Sequence, residues 1–260
     1  MNSTTPQVFL GTAAFAGESF AERRLRAAHT DRFRTPTEIA AVFYQAALAH
    51  VDGVITLSHL NVLKALRKVR RTLPGLQVYP IIPNVIGYVR EATDYGLVGA
   101  ARRRLQQLAL VDLFRIGLRG VRNAPGVLKR DFNTLMAILF EVEMASFRAL
   151  RPRVVFLHGQ ITDLALALGN RALFELYVQV MRKRFGAEPG LATNNLGWLL
   201  PQLEEWQLEI PFLLTPLNPS GFLMKPSKSV CEALLRVTPS VVIADKVDTV
   251  VEPDENTWGY

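Results

Sequence analysis

Residues 153–168 read RVVFLHGQITDLALAL. Four consecutive apolar residues, Val154 to Leu157, give way at once to a histidine, a glycine and a run with helical spacing. An unbroken apolar run of that length suits a strand buried on both faces, and such strands belong to parallel sheets. A helix directly after it is the crossover that a parallel sheet requires. The stretch therefore reads as strand, polar turn and helix, with His158 on the turn.

The same rhythm recurs in both directions. Upstream, Val8–Phe15 reads as a strand, and the helix PTEIAAVFYQAALAH follows with Thr35 as N-cap and Pro36 at the first helical position. Gly53–Ser58 precedes the helix LNVLKALRKVRRTL, which Pro74 and Gly75 stop, and Leu76–Ile82 is a third strand. Residues 85–108 read as two helical pieces divided near Gly96. Val111–Leu118 is a fourth strand, and Asp131 caps the helix that leads to Arg153. Downstream, one helix is expected over ITDLALALGNRALFELYVQVMRKRF, followed by a strand at GLATNN (190–195) and the helix LGWLLPQLEEW. IPFLLT (210–215) precedes a helix that starts around Ser227, and Ser240–Ala244 is the last strand.

Eight strand-then-helix units within 260 residues match the size and rhythm of a (β/α)8 TIM barrel, here expected as a single domain over 1–260. The alternative is a doubly wound open sheet. That fold normally carries G-x-G-x-x-G after its first strand, and LGTAAFAGE lacks the spacing. The tail after Ala244 is too short and too rich in Asp and Pro for an ordinary eighth helix. Either segment 17–34 replaces that helix or a partner does, so a homodimer or partner protein is the expected remedy for the exposed apolar surface.

Composition narrows the function. The chain is 49% hydrophobic with no apolar run approaching the roughly 18 residues of a membrane span, so no membrane is expected. Ala14-Phe15-Ala16 has the form of a signal-peptidase site. No Lys or Arg precedes it and Pro6 and Gly11 interrupt it, so a cytoplasmic location is expected. A single cysteine, Cys231, excludes an internal disulfide and Cys-rich metal sites. The four histidines show no ligand spacing, so no metal is expected. The net charge is +7, carried by arginine clusters such as KVRRTL (68–73) and RKRF (182–185). These fall on polar faces of separate helices without interleaved aromatics, which argues against nucleic acid and leaves a small anionic metabolite as the expected partner.

In a barrel, chemistry sits on the loops that leave the C-terminal strand ends. His158 is expected as general acid or base, because an ordinary imidazole titrates near neutral pH. Asp163 would orient it or cap the following helix. Alternation with Val242 and Ala244 directs Lys246 inward, as a Schiff-base or anion-holding lysine. Asn84, Arg115, Arg119, Asn194, Asn195 and Asn218 are expected to bind and position substrate, and Ser220, Gly221 and Lys225 to cradle an anion. Each of the short polar residues has a plain alternative as a cap or turn former.

VFLGTAAF followed by GVITLS faintly resembles the opening of aldo–keto reductases, where a strand ending L-G-T precedes one that carries a catalytic Asp. That resemblance would imply NADPH-dependent reduction, but Thr56-Leu57-Ser58 stands where the Asp belongs. The chain as a whole looks more like an uncharacterised bacterial barrel family, which implies a fold and carries no activity with it; no cofactor is expected. The expected function is a soluble barrel enzyme acting by acid/base or carbon–carbon bond chemistry of the lyase or isomerase type. The alternatives are a non-catalytic binding or assembly subunit and, third, an aldo–keto-type reductase.

Overall fold

The computed structural model describes residues 7–16, 32–85 and 132–247. They divide into two compact units. The first holds the described residues up to Val155 together with Val180–Ala187; the second holds Phe156–Gln179 and the described residues from Glu188 onward. The fold is α/β, with parallel strands that alternate with helices, and within each unit the strand order follows chain order.

In the first unit β1 (Phe9–Gly11), β2 (Gly53–Thr56) and β3 (Gln77–Ile82) pair in parallel, with Phe9 opposite Gly53 and Gly53 opposite Gln77. Helix α1 (Pro36–Leu48) starts in a capping box: Thr35 Oγ1 accepts from the Glu38 N–H at 3.3 Å, and Glu38 returns a bond to the Thr35 N–H at 2.8 Å. It buries Ile39, Ala40 and Phe43. Helix α2 (Leu60–Thr72) buries the stripe Val62, Leu63, Ala65, Leu66 and Val69, which is one face at helical spacing.

Three arginines in or beside the clusters serve this packing. Arg67 donates to the Ser146 carbonyl at 2.7 Å and Arg70 to the Leu76 carbonyl at 2.6 Å, while Arg184 pairs with the buried Glu141 on α3 (Phe132–Phe147). The Arg67 and Arg70 bonds satisfy carbonyls at element ends, which helix and strand termini otherwise leave bare.

Val154–Leu157 forms β4, and all four residues are buried, as its continuous apolar run requires. The unit boundary falls inside this strand, between Val155 and Phe156. In the second unit β5 (Glu188–Ala192), β6 (Phe212–Pro216) and β7 (Val241–Asp245) pair in parallel, Gly190 opposite Phe212 and Phe212 opposite Val241. Gly190 is required: a Cβ there would stand 2.5 Å from the ring of Phe156.

Helices α4 (Gly159–Ala167), α5 (Arg171–Val180), α6 (Leu196–Glu205) and α7 (Lys228–Leu235) complete the described elements. Among the described residues no helix is long and apolar enough to cross a membrane.

Several expected boundaries move. The first strand stops at Gly11, and Ala13–Ala16 coil into a 3-10 turn that buries Phe15 against Phe33 and Phe43. Apolar content alone does not separate a strand from such a turn. The single helix expected after His158 is two. Gly169 takes φ of 59° and ends α4, and the Asn170 side chain accepts from the Leu173 N–H at 3.1 Å to begin α5. The fourth expected strand at 111–118, the Asp131 cap, the pieces divided near Gly96, segment 17–31 and the tail beyond Val247 lie outside the described residues. Seven of the eight expected strands are present among those described. Ring closure goes beyond their pairings.

Candidate functional site

The polar residues expected at strand ends divide between the two units. In the first, Thr12, Thr56, Ser58 and Asn84 follow or end β1, β2 and β3, and all four are buried. The Thr12 hydroxyl donates to Thr56 Oγ1 at 2.8 Å, and Thr56 donates onward to the Leu57 carbonyl at 2.9 Å. Buried hydroxyls in such a chain are satisfied by each other. Arg115 and Arg119 lie outside the described residues.

The second unit gathers most of the expected site. Contacts along the C-terminal ends run from strand to strand. A Cβ added at Gly159 would lie 3.6 Å from the Ala192 carbonyl oxygen, Thr193 N–H donates to the Leu214 carbonyl at 3.0 Å, and Leu217 N–H donates to the Asp245 carbonyl at 3.0 Å. The residues that follow β4, β5, β6 and β7 therefore form one rim.

His158 opens that rim as the N-cap of α4. Its Nδ1 accepts from the Gln160 N–H at 3.2 Å. A neutral ring that accepts at Nδ1 carries its proton on Nε2. Burial pulls its pKa down to about 4, because the charged form loses hydration without gaining a partner. His158 is thus neutral through the physiological range. It offers an N–H, and it is a weak base.

The cap of α4 is His158 itself, and the Asp163 carboxylate turns to residues 193–195 instead. Thr193 Oγ1 donates to Asp163 Oδ1 at 2.5 Å, Asn194 N–H donates to Oδ2 at 3.3 Å, and the Asn195 side chain adds a third bond. Burial nevertheless lifts its carboxyl above the ordinary range, outweighing the bonds from Thr193, Asn194 and Asn195 that favour the carboxylate. Thr193 Oγ1 also accepts from the Asn195 N–H at 2.8 Å, so residues 193–195 are held by one carboxylate and one hydroxyl.

The loop after β6 is organised from within. Asn218 is buried; its Oδ1 accepts from the Phe222 N–H and the Ser220 hydroxyl, both at 2.8 Å, and its Nδ2 donates to the Phe222 carbonyl at 3.0 Å. Gly221 sits at φ of 73°, and its N–H donates to the Asn218 carbonyl at 3.2 Å, which spends the group expected to cradle an anion. Ser227 caps α7 through the Val230 N–H at 3.3 Å. Lys225 is exposed, while its backbone joins the neighbouring loop: its N–H donates to the Asn194 carbonyl at 3.1 Å, and its carbonyl accepts from Gly197 N–H at 3.0 Å and Cys231 Sγ at 3.3 Å.

Lys246 closes the rim. It takes φ of 54°, which breaks the expected alternation with Val242 and Ala244, and its Nζ folds onto Asp245 Oδ2 at 2.5 Å. Three strand spacings, about 14 Å along a sheet, separate β4 from β7. His158 and Lys246 share an edge, and their reach covers different parts of it.

Sequence reasoning missed two contributors. Gly197 has no room for a side chain, since a Cβ would stand 2.3 Å from Pro226 Cδ. Cys231 ties the Lys225 carbonyl. Neither carries a local motif; both reveal themselves only when the loops meet. Among the described residues no group of three or more His, Cys, Asp or Glu could hold a metal ion. No protein-family model, curated protein or solved structure matches this chain.

Proposed function

We propose that this chain is a barrel-type enzyme, closed into a full ring, that binds a small anionic, oxygen-rich metabolite at the rim of the second unit. The reaction class favoured is acid/base or carbon–carbon bond chemistry of the lyase or isomerase kind. The observation that carries the reading is His158, a neutral, half-buried imidazole fixed in one tautomer at the end of an apolar strand. A ring with a proton on Nε2 and no charge polarises a carbonyl or carboxylate by hydrogen bonding, and it does so without a titration near neutral pH. Lys246, side by side with Asp245, supplies the cation for the substrate's charge, and Asn194 supplies an amide between them. Cofactor-independent action is part of this reading.

The test is a panel of small carboxylates, phosphates and hydroxy acids. A raised melting temperature is expected with at least one class, lost in Lys246→Met and weakened in His158→Asn. A flat response across the panel together with recovery of a tightly bound partner would contradict the reading.

A second reading, a binding or assembly subunit, draws on exposed apolar side chains in the same unit. Leu168 on the turn after α4 and Trp198 on α6 are 68% and 61% exposed, large apolar side chains of the kind a partner covers. Sedimentation that returns only a monomer at all concentrations would remove its support.

A further inference from the structure

We infer that Asp163 is the positioning residue of the second unit's rim, fixing residues 193–195 directly and the loop at Lys225 through them. The inference rests on the functional reading above for the rim's purpose, while the lock itself is testable without any ligand.

Three observations converge. Both carboxylate oxygens are occupied, Oδ1 by the Thr193 hydroxyl and Oδ2 by the Asn194 N–H. With the Asn195 side chain, three of about four acceptor positions on the carboxylate are taken, which suits holding a backbone. Next, the segment it holds carries the connection onward, because the Asn194 carbonyl accepts from Lys225 N–H and the Lys225 carbonyl accepts from Gly197 N–H. The loops after β5 and β6 thereby share one anchor on α4. Finally, Asp163 lies five residues past His158 on the same helix, so the anchor and the polarising imidazole belong to one rigid element. A site works best when its groups are held in place before the ligand arrives.

Burial raises the Asp163 pKa in the folded chain, so its contribution to stability is full at acid pH, below the unfolded value. It is lost as pH rises through the folded one.

The experiment is amide hydrogen exchange by NMR on the full chain without ligand. In Asp163→Asn the amides of residues 194 and 195 are expected to exchange at least about tenfold faster, the scale set by losing a bond to a charged acceptor. The amide of residue 193, which donates to the Leu214 carbonyl, should keep its protection. Thr193→Val should expose the residue 195 amide in the same way, and Thr193→Ser should restore it. Unchanged exchange at 194 and 195 in Asp163→Asn overturns the inference, and so does an equal loss at 193 with a lowered melting temperature. Should Asp163→Asn fail to fold, the Val and Ser pair at Thr193 decides: equal protection in both overturns it. A confirmed lock beside an unresponsive ligand panel removes only the proposed function.

Discussion

Gly53 and Gly190 occupy comparable places in the two units, each a strand glycine facing an aromatic side chain of the adjacent strand. A Cβ at Gly53 would stand 2.7 Å from Tyr79 Cε2, while at Gly190 it would stand 2.5 Å from both Cδ1 and Cε1 of Phe156. The resemblance stops at the aromatic. Tyr79 is half-buried, packs edge-on against Phe9 at 5.0 Å and can yield; Phe156 is fully buried among core side chains and cannot. The strand ends differ in the same sense. The first unit closes its ends with a short chain of threonine hydroxyls, and the second builds a rim from a carboxylate, three asparagines and an imidazole. The second unit spends rigid packing on holding polar groups in place, which is the pattern of a site rather than of a core.

The sharpest way to break this comparison is at the glycines. Gly190→Ala is expected to cost about 3 kcal/mol through overpacking, and Gly53→Ala clearly less, because the Tyr79 ring can swing outward. Denaturant titration of both variants checks it, and equal costs would erase the distinction.

Next comes acid. His158 has a folded pKa near 4 against an ordinary 6.5, so its contribution to stability is full above the unfolded value and is lost as pH falls toward 4. The loss is on the order of 2–3 kcal/mol over that window. His158→Asn keeps a capping side chain but cannot titrate, so its stability should be flatter between pH 6.5 and 4 than that of the parent.

Smaller effects follow at the loops. Asn218→Ala should cost about 1–2 kcal/mol, since it removes a buried side chain that bonds both the N–H and the carbonyl of Phe222. Thr12→Val should cost about 1 kcal/mol or less, because Thr56 keeps its own acceptor in the Leu57 carbonyl. Thermal unfolding ranks the two, and a reversed order would place the tighter network in the first unit.

The alternation of strand and helix was legible because parallel strands need unbroken apolar runs, and Val154–Leu157 is such a run. So were the caps at Thr35 and Ser227, where local bonding decides the residue type. His158 could be located at a strand end from sequence, but its charge state could not, since desolvation depends on what packs around it. Asp163 was read through its near neighbours, yet its partners Thr193 and Asn194 lie 30 and 31 residues away. Lys246 was read through strand alternation, and a left-handed backbone at the strand end cancelled that argument. Gly221 was read as a free N–H donor, and the turn it belongs to uses that donor itself. Side-chain partnerships across loops are tertiary facts, and one sequence carries no period that records them.

The account depends most on the neutral imidazole at the end of β4. A pH titration of the His158 ring by nitrogen-detected NMR should find the proton on Nε2 and a midpoint near 4, with no change through neutral pH. A midpoint near 6.5, or a proton on Nδ1, would contradict it.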